Sequence, residues 1–249
     1  MRNARHYNLR QPGLTILQLI LFIVITGMAI GFLLPTAEPS RHPPRLLQCK
    51  EQLKKIALAV RAYAEANGRF PPPYILDDFG KPSHSWRVLI LPYLGSRDLY
   101  DTYRFDEPWD SPHNLALAPA VAKLFQCPSD LAIDQASSST NYLAVIGSDT
   151  IWADEVGIPF SEVEGRLDEV VVVVETTSVV GKEVNVLEPR DLRLDQLDGG
   201  TNRGGDLTIS SNHPGGANVA FADGHVEFVM DGEDARDLKL QLMTALNGQ

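Results

Sequence analysis

Near the end of the chain, His213, Asp223 and His225 carry atoms that can ligate a metal ion. Their placement works against a shared ion. Asp223-Gly224 reads as a hairpin turn, His225 follows the turn, and His213 stands well before it. The alternative is that Asp223 stabilises the turn and His213 bonds to backbone near Gly215-Gly216. A second candidate is the acidic, glycine-rich stretch 195–206, where Asp195, Asp198, Asn202 and Asp206 offer oxygen ligands suited to calcium. The stretch lacks the EF-hand pattern, and Asp/Gly loops are also ordinary turns. A third is the run Glu107-Pro108-Trp109-Asp110-Ser111-Pro112-His113-Asn114. With Trp86 and Tyr93 it is expected either to form a surface pocket for a polar ligand such as a glycan or to lock a long loop. No G-x-S-x-G elbow or H-E-x-x-H motif occurs, and no spacing pairs a nucleophile with a base. The chain is therefore expected to be no enzyme and to need no cofactor, calcium aside.

Charge and cysteine content narrow the classes further. The 249 residues carry a formal charge of −10, which argues against nucleic acid as a partner, because phosphate binding needs a basic face. The two cysteines, Cys49 and Cys127, lack C-x-x-C spacing. Cys49 falls on the apolar stripe of a predicted helix, and Cys127 follows the apolar pair Leu124-Phe125. A disulfide between them is expected in an oxidising compartment, the alternative being two buried thiols.

Elements that must position these residues can be read from periodicity. Arg2, Arg5 and Arg10 precede an uncharged, mostly apolar run over residues 14–34. As a helix this run spans about 30 Å, the thickness of a bilayer core. A Pro-rich break at 38–44 leads to a second helix over 45–66, with Leu46, Cys49, Leu53, Ile56, Val60 and Tyr63 on one stripe. Residues 86–93 are apolar and short enough for a helix or a strand. Five consecutive valines within 169–176 predict a buried central strand. A short strand at 207–210 and a helix over 232–246 are also expected. The alternation around Asp223-Gly224 predicts a hairpin with a two-residue turn, Phe221 facing Val226 and Val219 facing Phe228.

Two resemblances connect these segments. Pro12-Gly13-Leu14-Thr15-Ile16-Leu17-Gln18, between a basic leader and an apolar helix, resembles a type IV prepilin or type II secretion pseudopilin signal. The resemblance implies cleavage between Gly13 and Leu14 by a membrane prepilin peptidase. Gln18 stands where the family usually has glutamate, which puts filament assembly in question. His213, nine intervening residues, then Asp223-Gly224 resembles the H-x9-DG signature of a large bacterial prepilin-like family whose domain has no characterised function. Further matching segments include Ser85-Trp86-Arg87, Phe125-Gln126-Cys127-Pro128-Ser129-Asp130, Thr140-Asn141-Tyr142 and Glu188-Pro189-Arg190-Asp191-Leu192.

The expected organisation is a leader at 1–13, a transmembrane helix at 14–35, a linker and amphipathic helix at 36–66, and an extracytoplasmic domain at 67–249. The expected fold is α+β and pilin-like, a long N-terminal helix packed on a mainly antiparallel sheet with long loops. The resemblance implies a pseudopilin-like protein anchored by one pass in the cytoplasmic membrane, a minor subunit of, or accessory to, a type II secretion or pilus-like apparatus. Its partners would be membrane lipid, the prepilin peptidase and other secretion components. The rival expectation is a tethered envelope receptor for glycans or other solutes, with a hydrolase behind it.

Overall fold

The computed structural model describes residues 16–33, 42–130, 137–153, 155–177, 183–197 and 208–231. The chain forms two compact units, residues 1–40 and 41–249.

In the first unit, α1 (Ile16–Leu33) is built from an apolar sequence without charged residues. The side chains of Ile16, Leu17, Phe22 and Met28 are exposed. Among the described residues no helix is long and apolar enough to cross a membrane. Residues 14, 15, 34 and 35 of the expected span, together with Gly13, lie outside the described residues.

The second unit begins with α2 (His42–Asn67), whose start at a Pro-Pro pair suits a first helical turn with no amide partners to lose. Cys49, Leu53, Ile56, Val60 and Ala64 step by three and four and are fully buried. Burying each larger apolar side chain contributes about 1.5–3 kcal/mol relative to leaving it in water. A hairpin follows, β1 (Tyr74–Leu76) with β2 (Pro82–Ser85). Then come α3 (Trp86–Leu89), capped by the Ser85 side chain, α4 (Arg97–Thr102), and α5 (Pro112–Ala122), capped by Ser111. The apolar run at 86–93 is thus helical, α3 leading into a 3-10 turn at Leu91–Leu94.

The remaining strands are β3 (Tyr142–Leu143), β4 (Val145–Ile146), β5 (Val171–Glu175), β6 (Leu192–Arg193), β7 (Gly216–Phe221) and β8 (Val226–Met230). The main sheet runs β3-β5-β7-β8, antiparallel throughout, and β4 pairs with β6 in parallel. The valine run is the buried strand β5, as expected. Interrupted by a register shift between Val171 and Val173, its residues serve two cores, with adjacent Val172 and Val173 both in the first. Val173 joins the α2 stripe, Ala220, Trp86 and Phe125 in one apolar cluster, while Val171, Val174, Val219 and Phe221 join Leu143, Leu192 and Ile209 in another. The protein is therefore α+β, with α2 packed on an antiparallel sheet.

Three sequence expectations change. Residues 208–210 form no strand, although Ser210 N donates to Glu175 O (3.0 Å) beside β5. The hairpin register shifts by one: Val219 opposes Glu227, Ala220 opposes Val226, and Asn218 opposes Phe228. The cause is a three-residue loop. Gly224 N donates to Phe221 O, Phe221 N donates to His225 O, and Gly224 alone needs the left-handed φ of 94°. A one-residue slip exchanges faces, so Phe228 turns to the α2 side, within reach of Lys50. The third change is Trp86. It is buried beside Trp152 and Phe125, so it lines no surface pocket. The predicted helix at 232–246 lies outside the described residues.

Candidate functional site

Under the first turns of α2, four side chains of three chemical types meet. Cys49 and Cys127 form a disulfide with Cα atoms 5.3 Å apart. His213 Nε2 lies 3.5 Å from Cys127 Sγ and 3.4 Å from Glu175 Oε1. All four residues are buried, and their ligand-type atoms fall within 4.8 Å of one another.

Local sequence explains each placement. Cys49 belongs to the buried stripe of α2. Cys127 sits on a loop fixed by Asn141, whose Oδ1 accepts from Cys127 N (2.8 Å) and whose Nδ2 donates to Asp130 Oδ2 (2.6 Å). Asn212 Nδ2 donates to the other oxygen of Asp130 (3.1 Å). His213 is held at the bend before β7, where its N–H donates to Ser211 Oγ (3.0 Å) and that hydroxyl donates to Gly216 O (2.6 Å). Glu175 ends β5 with the parity of Val173 and so faces α2. Its Oε2 accepts from both the backbone (3.2 Å) and the amide Nδ2 (2.6 Å) of Asn218 on β7. Among the described residues, Asn218 Oδ1 is buried with no hydrogen-bond partner.

The sequence reading missed Glu175. Its signal was a carboxylate closing a run of valines on a strand buried on both faces, where an acid requires a partner. His213 also differs from expectation: its imidazole turns inward to Glu175 and Cys127, away from the backbone at Gly215-Gly216. His213 and Asp223 flank opposite ends of β7 and do not meet.

At the other end of β7, Asp223 Oδ1 accepts from His225 N (2.9 Å) and His225 Nδ1 (2.6 Å). Burial opposes ionisation of Asp223, but the His225 donors outweigh it and hold the carboxyl below its usual range. Of the calcium candidates, Asp195 is exposed and paired with Arg193 (3.2 Å), while Asp198, Asn202 and Asp206 lie outside the described residues.

A second buried polar centre joins α3 to the strands. Arg87 Nη2 and Asp191 Oδ1 form an ion pair at 2.5 Å with both side chains fully buried. Asp191 also accepts from Trp86 Nε1 and Ala144 N, and Arg87 donates to Tyr142 O. Burial pushes the Asp191 carboxyl up, against the pull of Arg87 and these donors.

The surface offers a cleft of about 650 Å³ between the β1–β2 hairpin and the loop before α5, lined by Asp77, Asp78, Asp106, Glu107, Tyr100, Phe105 and His84. The loop itself is locked by Asn114, which bonds to the backbone of Arg104, Glu107 and Pro108. Tyr93 does not line the cleft. Beneath it His84 is buried, with Nδ1 2.8 Å from Tyr103 Oη and Nε2 3.1 Å from Phe105 O. A hydroxyl that donates and a carbonyl that accepts select the neutral imidazole protonated at Nε2. Burial lowers the His84 pKa, partly countered by the Phe105 carbonyl. Burial likewise pushes the Tyr103 hydroxyl far up.

Comparison with known proteins places the chain in a family. Residues 41–169 and 175–236 match the family described as "Protein of unknown function (DUF1559)", and the chain belongs to it. That family is associated with prepilin-like proteins. No curated protein and no solved structure matches the chain.

Proposed function

We propose that this chain is a non-enzymatic, pilin-like protein tethered in the cytoplasmic membrane, with residues 67–249 outside the cytoplasm. The observation that carries this reading is α2 lying by a buried stripe on an antiparallel sheet, behind a basic leader and an apolar segment in sequence order. The exposed apolar side chains of α1 suit a lipid surrounding. The Cys49–Cys127 bridge supports an oxidising compartment. The H-x9-DG pattern and the prepilin-type signal in the sequence motivate the prepilin-like part of this reading. Gln18 lacks the charge that would pair with a neighbouring subunit's N-terminal amine, which favours an accessory or solitary tether over a filament subunit.

The test is the intact mass of the protein from membranes of cells with an active prepilin peptidase. The expected product begins at Leu14. A mature chain that keeps residues 1–13 in those cells overturns the prepilin reading. Co-purification of secretion-apparatus proteins distinguishes an accessory subunit from a solitary tether.

The acidic, aromatic cleft favours one rival, a tethered receptor. Carboxylates beside Tyr100 and Phe105 suit hydroxyl-rich ligands such as glycans. Binding of the domain on a glycan array, abolished by Glu107→Ala with Asp106→Ala, would support it.

A further inference from the structure

The geometry points to a redox-gated zinc site formed by Cys49, Cys127, His213 and Glu175, empty while the disulfide is closed and able to take one Zn²⁺ once it is opened.

Donor chemistry is the first argument. Two thiolates, an imidazole and a carboxylate are ordinary zinc ligands, and soft sulfur with nitrogen selects zinc over calcium or magnesium. Spacing is the second. Zinc–ligand bonds of about 2.3 Å to sulfur and 2.0–2.1 Å to nitrogen or oxygen give tetrahedral edges of about 3.6 Å for S···N and 3.3–3.4 Å for N···O. The corresponding separations here are 3.5 Å for Cys127 Sγ to His213 Nε2 and 3.4 Å for His213 Nε2 to Glu175 Oε1. Two edges of the tetrahedron are thus already in place. The third argument is support. Asn218 grips Glu175 Oε2 and leaves Oε1 toward the cluster, as an outer-shell donor orients a metal-ligating carboxylate. The same amide has its Oδ1 buried with no partner among the described residues, so polar demand at this place is incompletely met by them. His213 lies between exposed Asn212 and Pro214, which gives an ion a route in by local opening of that bend.

A closed disulfide cannot serve, because its sulfurs carry no charge. Reduction by a dithiol delivers two electrons and two protons to the bridge, leaving two thiols and the oxidised dithiol. Zinc then displaces both thiol protons to solution, forming two Zn–S bonds.

The full chain in detergent tests this. Oxidised protein and protein reduced with a phosphine, which becomes its oxide, are each loaded with zinc, desalted and assayed for metal. One zinc per reduced chain and none per oxidised chain is the expected result. Cobalt in place of zinc should give a thiolate charge-transfer band and the intense visible bands of a tetrahedral site in the reduced form alone. His213→Ala and Glu175→Gln should each weaken zinc binding by at least about tenfold. Should the reduced chain unfold, zinc is expected to restore its circular dichroism and a chelator to abolish it again. Reduced protein that takes up no zinc, folded or unfolded, overturns the proposal. So does equal uptake by the oxidised form, or unchanged affinity in His213→Ala.

Discussion

His213 Nε2 stands 3.4 Å from Glu175 Oε1, with both side chains buried beside the disulfide and far along β7 from the hairpin turn. Removing the imidazole takes away the polar group that faces this buried carboxylate oxygen. His213→Ala is therefore expected to destabilise the oxidised protein by about 1–3 kcal/mol. Asp223→Ala, at the partly exposed turn, should cost less, about 0.5–1.5 kcal/mol. Urea denaturation of both variants checks the order, and a larger loss at Asp223 would contradict it.

Gly224 packs against α2. A Cβ there would meet Leu58 Cδ2 at 2.6 Å and Cγ at 2.9 Å, and the left-handed φ adds backbone strain. Gly224→Ala should cost about 1–3 kcal/mol. Leu58 is a flexible side chain, so Leu58→Ala should relieve the steric part and leave the strain. A double-mutant cycle reads this as a coupling of about 0.5 kcal/mol or more; additive losses would show that the turn does not bear on the helix.

Arg87–Asp191 and Arg97–Asp101 contrast the same chemistry in two settings, fully buried and mostly exposed. Asp191→Ala strands the Arg87 guanidinium in the core and should cost about 3–5 kcal/mol. Asp101→Ala should change stability by less than about 0.5 kcal/mol. Thermal unfolding separates the two, and a mild Asp191→Ala would mean that the core admits water to Arg87.

His84 makes stability depend on pH. Its folded-state pKa is depressed, so the unfolded chain binds more protons once pH falls below about 6.5. The His84 contribution is complete above that value and is lost as pH falls toward the folded-state pKa. Wild-type protein should lose more stability between about pH 7.5 and 5.5 than His84→Gln does. Equal slopes for the two proteins would remove His84 as the cause.

Periodicity made much of the scaffold legible. The stripe through Cys49 and Leu53 gave the face of α2, and the valine run gave β5, because both patterns follow directly from burial on one side or two. The Cys49–Cys127 bridge followed from the same stripe and the apolar residues before Cys127. Partners joined across long sequence separations were hidden. Ser85-Trp86-Arg87 and Glu188-Pro189-Arg190-Asp191-Leu192 each appeared as a segment, yet nothing local shows that Arg87 and Asp191 meet. The same holds for Asn141 with Asp130, and for Glu175 with His213. The hairpin was placed correctly and its register was not, since Asp-Gly also suits the three-residue loop that Gly224 closes.

The Cys49–Cys127 bridge also decides how the protein carries load. Tension applied between the chain before α2 and the chain beyond Cys127 passes through the covalent bridge. Residues 50–126, including most of α2, all of α3 to α5 and the β1–β2 hairpin, are bypassed by that path and can yield no length under pull. A chain pulled from its N-terminal side would lengthen before Cys49 or beyond Cys127, while the acidic cleft stays inside the bypassed loop.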